Sequence, residues 1–401
     1  MISADALMTL TSFLLTPTTV TKNVNSIGNN LDFEESEYNG EYYTSCPGWE
    51  INHNIGFSSN PWPKAVDQWH SSATSGTLIQ AWNASGNSLS AGNIIYQTID
   101  NLPAGTYTIS ADVHSDYNGV YIFANSNTAL VTNTSTWGTS YNTSVTTTLS
   151  STGSITLGLK FASTPSTSSE INIYADNFNI VFSGPASIQI NESSDNGNLL
   201  SIFSGTMADA TVVRNVKAGY NTLVLPFSMT NAEVKMAFGA NAKVYQFASF
   251  EGSYVTFSLS NGITANTPCL LYADNSTSYF TLYGKSINYT AVPTVSQGGL
   301  TMTGNYAANS TVPVGAYVLS NGTLYPTATE VSMKALRAYF TVDSDVKSIN
   351  IRFEDDATDI QELVMTQNNH SECYFDLSGR RVLNPKHGIY IYKGKKIVIR
   401  Q

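Results

Sequence analysis

The feature that most constrains this chain is the scarcity of helical periodicity across its 401 residues. Apolar side chains recur at every second position in short runs, and Gly, Pro, Asn or Ser separate the runs. That is the pattern of half-buried strands joined by tight turns. Segment 99–115, "IDNLPAGTYTISADVHS", shows it most clearly. Pro103 fixes one backbone angle and Gly105 accepts a positive φ, so the turn is stiff. From there Tyr107, Ile109, Ala111 and Val113 alternate with Thr108, Ser110, Asp112 and His114. One face of that strand packs and the other is polar. The stretch reads as framework, with any ligand held by the loops or the concave face of a sandwich.

The expected fold class is all-β: an N-terminal jelly-roll β-sandwich, a second β-sandwich-type domain and a small C-terminal β meander. A chain this long has room for two or three domains. Boundaries are placed at 21/22, near Gly184-Pro185, and in the acidic stretch 355–359, giving segments 1–21, 22–183, 184–358 and 359–401. Helix is expected at Asn231–Phe238, after the capping sequence "SMT" at 228–230, and as a short possibility at 334–337. In the tail, strands are expected at 373–377, 381–383, 388–392 and 396–399, the last two pairing across 393–395.

Composition narrows the function. The chain is 42% hydrophobic, enough for sizeable cores, yet only 12% charged, about half the usual share. Its polarity comes from Ser, Thr, Asn and Gly. The net charge of −10 argues against nucleic acid, whose phosphates need Lys and Arg. Residues 22–183 carry only Lys22, Lys64 and Lys160 as bases. From His370 onward the sign reverses, with seven bases against Glu372 and Asp376. Either a separate role for the tail or a solvated strand face accounts for that reversal. Cys46, Cys269 and Cys373 lie far apart and make no metal spacing, so free, buried thiols are expected. The apolar run at 6–15 is too short to span a bilayer, and Asp5 precedes it where a signal peptide has bases. Segment 1–21 is taken as a leader or as the end of a truncated upstream segment.

Two stretches carry a resemblance. The tail, "YFDLSGRRV" at 374–382 with "GIYI" at 388–391 and "GKKIVI" at 394–399, resembles the C-terminal sorting-type domains of secreted Bacteroidetes proteins. That implies export, with a type IX secretion-like machinery reading the tail. The first domain resembles galactose-binding-like jelly rolls, including many carbohydrate-binding modules. The resemblance rests on "NLDFE" at 30–34 with "GW" at 48–49, "IYQTI" at 95–99, "LPAGTY" at 102–107 and "ADNFNI" at 175–180. The middle region, with "KAGYNTLVLPF" at 217–227 and "ITANTP" at 263–268, resembles an uncharacterised β domain of such surface proteins and implies no activity.

A sugar presents CH faces and hydroxyls, so its site needs aromatic platforms beside amides and carboxylates. The candidates are Trp62, Trp69, Trp82, Tyr117, Trp137 and Tyr141, with Tyr121 nearby; Trp62 and Trp69 fall in a Pro-rich loop at 60–69. Trp49, in the opening motif, is expected in the core. The resemblance further implies a structural Ca2+ near the first and last strands, at Glu34 and Asp176, since calcium takes hard oxygen ligands. Catalytic signals are missing. There is no GxSxG, "GKS" at 284–286 lacks the upstream glycine of a phosphate loop, and no pair of acids stands out. His53, His70, His114, His370 and His387 show no ligand spacing and read as surface or loop positions.

The expectation is therefore a non-catalytic secreted or cell-surface protein that binds a glycan or surface polysaccharide through its jelly roll. The alternatives are an adhesive or structural protein that binds another protein, or an accessory part of a glycan-degrading system.

Overall fold

The computed structural model describes residues 18–38, 43–65, 76–136, 138–166, 169–343 and 349–354, together with strands of the tail between 374 and 399. The chain divides into two compact units, Met1–Asp355 and Asp356–Gln401. The fold is all-β, as expected, with two short α-helices among the described residues.

Residues 19–185 form a jelly-roll sandwich. Its strands are β1 (Thr19–Asn23), β2 (Glu50–Ile51), β3 (Ser59–Ala65), β4 (Thr77–Asn83), β5 (Gly92–Leu102), β6 (Gly105–Ser115), β7 (Val120–Ala124), β8 (Asn127–Leu130), β9 (Tyr141–Leu149), β10 (Gly153–Phe161) and β11 (Ile171–Pro185). One sheet runs β9-β6-β11-β4-β3, with β1 along the end of β11; the other runs β8-β7-β10-β5-β2.

Strand β6 follows its sequence pattern. Tyr107, Ile109, Ala111 and Val113 are fully buried between the sheets, Ile109 and Val113 each contributing roughly 1.5–3 kcal/mol. The turn before it is locked as expected. The Tyr107 hydroxyl donates to the Pro103 carbonyl at 2.8 Å. Gly105 has φ +155°, and a Cβ there would lie 2.3 Å from the Phe182 ring, so no larger residue fits. Trp49 is in the core, its ring between Phe33 and Phe178 at centroid distances of 5.1 and 4.8 Å. Its Nε1 donates to the Asn30 carbonyl at 2.9 Å.

The sandwich passes into the next region without an open linker. Strand β11 runs through Gly184 to Pro185, with β1 paired along it. The chain continues as β12 (Ser187–Asn191), α1 (Gly197–Phe203) and β13 (Thr206–Val216). Helix α1 packs beneath the sandwich: Phe203 meets Phe182 edge-on at 5.7 Å, and the Asn198 amide donates to the Asp100 carbonyl at 2.7 Å. Beyond lie β14 (Gly219–Leu223), α2 (Asn231–Phe238), β15 (Lys243–Glu251), β16 (Tyr254–Ser260), β17 (Cys269–Ala273), β18 (Thr277–Ile287), β19 (Thr294–Gln297), β20 (Leu300–Gly304), β21 (Tyr317–Ser320), β22 (Thr323–Pro326), β23 (Ala338–Val342) and β24 (Asn350–Phe353). They build three main sheets: β12-β13-β18, β14-β17-β15-β16-β24 and β19-β20-β23-β21-β22. The last two share a core around Phe247, Phe257, Met302 and Phe340.

Helix α2 matches its expected span and cap. Glu233 N donates to Thr230 Oγ1 at 3.3 Å, and Thr230 N donates to Glu233 Oε2 at 2.7 Å, a reciprocal capping box. The short helix expected at 334–337 is instead a turn, with Leu336 at φ +66°. Glu192 draws that turn in: Lys334 and Arg337 donate to its two oxygens at 2.9 and 2.7 Å. Helix α1 has no counterpart among the expected helices; its apolar run, with Leu200, Ile202 and Phe203 buried, also fits a buried strand.

In the second unit β25 (Tyr374–Phe375), β26 (Arg381–Val382), β27 (Gly388–Tyr392) and β28 (Lys395–Ile399) form one antiparallel sheet. Its order is β26-β25-β27-β28, which puts β25 inside the sheet. The expected terminal hairpin is present, with Gly388 opposite Ile399.

Candidate functional site

The polar face of the β9-β6-β11-β4-β3 sheet is the most chemically specific surface of the sandwich. Cross-strand register sets four side chains in one row: His114 on β6 faces Tyr174 on β11, Tyr174 faces Gln80 on β4, and Gln80 faces Trp62 on β3. A second row pairs Asn172, Trp82 and Ser59 on β11, β4 and β3. A third brings Asn142, Asp112 and Asp176 together across β9, β6 and β11. Directly opposed side chains in such ladders lie about 5 Å apart at Cβ.

Strand β3 contains both Pro61 and Pro63, which read from sequence as part of a loop. It is a sheet edge, where a missing N–H breaks no ladder, and it is irregular between Ser59 and Trp62. The sheet edge thus carries Trp62 half-buried. Trp82 is also half-buried, and its indole is aimed by a hydrogen bond from Nε1 to Glu170 Oε1 at 2.5 Å. That bond, with a second from the Asn172 amide, holds the Glu170 carboxyl below its usual range. Asp116 fixes Asn172 in turn, accepting from its backbone N at 2.8 Å and its side-chain amide at 3.2 Å.

Beneath this rim the face is dry. Tyr174 is 1% exposed and His114 1%, the two rings stacked at 4.4 Å and 5°. This corrects the reading of His114 as a surface or loop position. The His114 ring is stacked on Tyr174 and bonded to the 139 loop rather than turned to solvent. The ring Nδ1 donates to the Thr139 carbonyl at 2.7 Å. Burial pushes the imidazole below its ordinary value, against the opposing pull of Thr139 and Asp116, so His114 is neutral at pH 7. Gln80 is 7% exposed, and its Oε1 accepts no hydrogen bond from the described residues. Asn60 Oδ1, in the irregular part of β3, is another buried acceptor without a donor among them. Buried acceptors are rarely left this way.

The candidate residues from sequence therefore separate. Trp62 and Trp82 share the polar face. Tyr141 sits opposite Val113, on the core side of the same sheet, 41% exposed at the strand end. Tyr117 packs against the core, its ring edge-on to Phe161 at 6.0 Å. Tyr121 lies on the other sheet, opposite Leu130 and Lys160. Trp69 and Trp137 lie outside the described residues, as do His70, His370, His387 and Cys373. Gln80, Asn172, Tyr174 and Glu170 are absent from the sequence candidates. A signal existed for three of them: "TLIQAW" at 77–82 puts Gln80 and Trp82 on one face, and "INIYAD" at 171–176 does the same for Asn172, Tyr174 and Asp176.

The two residues that the resemblance implies for calcium each accept a backbone hydrogen bond: Glu34 Oε1 from Thr77 N at 2.7 Å, and Asp176 Oδ1 from Asn177 N at 2.7 Å. Among the described residues no group of three or more acidic, His or Cys side chains converges, so a calcium there would draw most of its about 6–8 oxygens from carbonyls and water. Of the cysteines, Cys269 is buried and free, its thiol pushed up to about 12 by burial, and half-buried Cys46 is free and pushed up to about 11. Neither is a nucleophile at neutral pH. Among the described residues no helix is long and apolar enough to cross a membrane.

No protein-family model matches the sequence, and no curated protein matches it. Solved structures do match. The module TmCBM61, solved with beta-1,4-galactotriose, is 18% identical at a TM-score of 0.28, covering 40% of this chain and 97% of that one. The CBM22-1 xylan-binding domain of Paenibacillus barcinonensis Xyn10C is 13% identical at 0.22, covering 38% and 90%. The K1 cleaved adhesin domain of Lys-gingipain from Porphyromonas gingivalis W83 is 13% identical at 0.24, covering 41% and 98%. At these scores the likenesses assign no ligand and no activity to this chain.

Proposed function

We propose that this chain is a non-catalytic glycan-binding protein whose site is the Trp62–Gln80–Trp82 corner of the sandwich. The observation that carries the reading is the pairing of two half-exposed indoles with the unmet Gln80 acceptor between them. Trp62 stands opposite Gln80 in the ladder, and Trp82 lies two residues along the same face. A pyranose ring stacked on either indole buries its CH face, and its hydroxyls meet a rim of acceptors. Glu170 and Asp116 are already oriented there by the Trp82 and Asn172 bonds, and Gln80 Oε1, covered in the unbound chain, gains its donor when movement of the rings on binding admits a sugar hydroxyl to it. Binding is reversible capture. No nucleophile or facing acid pair is assigned to it. A secreted or surface location, with the tail addressing a type IX-like export machinery, belongs to the same reading.

The test is a glycan array with the full chain, with and without calcium, beside Trp62→Ala and Trp82→Ala. Binding that falls about tenfold or more in either variant, in protein with unchanged melting, supports the site. A folded chain that binds no glycan, or variants that bind like the parent, overturns it. Loss on chelation would require a calcium site that Glu34 and Asp176 alone do not provide.

A further inference from the structure

Strand β18 is the free edge of the β12-β13-β18 sheet. Its inward residues Phe280 and Leu282 are 7% and 3% exposed. On its outward face Tyr279 is 65% exposed and Tyr283 76%, the most exposed tyrosines among the described residues. Four residues along one strand set these rings roughly 13 Å apart. Between them Thr281 shares a hydroxyl hydrogen bond of 3.0 Å with Thr211 on β13. The second ring is set by a bulge. The register breaks opposite Asp209, Gly284 takes φ +58°, and its N–H donates to Asp209 Oδ1 at 2.9 Å. Bulges of this kind re-aim a side chain.

We propose that the Tyr279–Tyr283 face is a second glycan-contact surface, which takes an extended, uncharged polysaccharide along β18. Two separated rings with hydroxyls between them suit a polymer that repeats apolar faces and hydroxyls. The charges nearby are already used: Asp209 holds the bulge, and Lys285 is bound to Glu233 at 2.9 and 3.1 Å. Between the rings the face offers no cation for phosphate or an anionic lipid, and exposed Lys217 lies past its Tyr279 end, next to Val216, the partner of Thr277. It also lacks the contiguous apolar centre that an interface with a second copy needs, since Thr281 and the bulge separate the rings. This surface does not depend on the sandwich corner. A polymer long enough to engage both would gain by effective concentration.

All five tryptophans (Trp49, Trp62, Trp69, Trp82 and Trp137) precede this region, so indole emission reports on the sandwich alone. The experiment is native affinity electrophoresis of the full chain in gels containing β-1,4-galactan, arabinoxylan, galactomannan or mixed-linkage β-glucan, with emission titrations alongside. The variants are Tyr279→Ala/Tyr283→Ala and Tyr279→Phe/Tyr283→Phe, each with and without Trp62→Ala. Both positions are exposed, so melting should be unchanged. The expected result is retardation in at least one gel, weakened about tenfold in the alanine pair and within about threefold of the parent in the phenylalanine pair, because stacking needs the ring. The Trp62→Ala background should lose the emission change but keep tyrosine-dependent retardation. The surface is overturned if the alanine pair migrates like the parent in every gel, if the phenylalanine pair is as weak as the alanine pair, or if no gel retards the parent. If Trp62→Ala has no effect while the tyrosines matter, the sandwich site falls and this one stands. If the tyrosines have no effect while Trp62→Ala matters, this surface falls and the sandwich site stands.

Discussion

Two buried polar clusters sit in the larger unit, one neutral and one charged. In the sandwich, His114, Tyr174 and Gln80 lie side by side in the row that ends at Trp62, and Gln80 Oε1 has no donor among the described residues. In the second region, Glu192 is 3% exposed but receives Lys334, Arg337 and the Asn215 amide. Beside it Arg214, 1% exposed, donates to the carbonyls of Leu336 and Thr222. The second cluster holds a turn and two strands with paired charges, yet Arg214 Nε has no partner among the described residues. The first is neutral and leaves the Gln80 Oε1 acceptor unmet. An unmet buried atom is common to both, so what separates them is charge and the half-exposed indoles beside Gln80.

The largest expected effect breaks the charged cluster. Burial works against the Glu192 charge, yet the donated bonds and charges of Lys334 and Arg337 outweigh it and hold the carboxyl below its usual range. Glu192→Leu removes the partner of two cations beside buried Arg214, so unfolding in urea should show a loss of about 2–4 kcal/mol. Lys334 is half-exposed, and Lys334→Ala should cost under about 1 kcal/mol. Equal losses in the two variants would show that the turn does not depend on the buried carboxylate. A carboxylate with a lowered folded value stabilises above its unfolded value and loses that contribution as pH falls. The parent should therefore lose stability below about pH 4.5 more steeply than Glu192→Leu.

A smaller effect of opposite sign is expected in the sandwich. Gln80→Leu removes an unsatisfied buried acceptor and keeps the volume, so stability should hold or rise by up to about 1 kcal/mol. Glycan affinity should fall at the same time. Loss of stability with affinity unchanged would make Gln80 a structural residue.

How much of this was legible in sequence follows from the same two clusters. The strand pattern of 105–115 and the helix start after Thr230 were readable, because each is decided within a few residues, and the core position of Trp49 followed from the resemblance of the opening motif. Which tryptophans share a face was not. Trp62 and Trp82 meet through the register of β3 on β4, and "NPWPKA" at 60–65 carries two prolines that mark a loop unless the strand is known to be an edge. His114 belonged visibly to the polar side of its strand, but its burial depends on Tyr174, sixty residues on. Likewise 334–337 has helix-forming residues, and the turn there is imposed by Glu192, far upstream in the chain.

The smallest expected effect refines the comparison by pH. His114 is lowered by burial, so the unfolded chain binds a proton that the folded chain refuses. Its neutral form is favoured in the folded chain, and stability should begin to fall as pH drops through the unfolded value near 6.5. The onset lies well above that of Glu192, so the two clusters separate on one pH axis. Replacing the ring by His114→Phe keeps the stack on Tyr174 and removes the titration. It should flatten the decline that begins near pH 6.5 while leaving the steeper decline below about 4.5 intact, as read from urea midpoints at each pH. An unchanged profile in that variant would mean that His114 charges freely in the folded chain, and the face beneath Trp62 and Trp82 would then be wet rather than dry. A sugar hydroxyl arriving there would displace water instead of meeting a bare acceptor, and the affinity assigned to Gln80 would shrink accordingly.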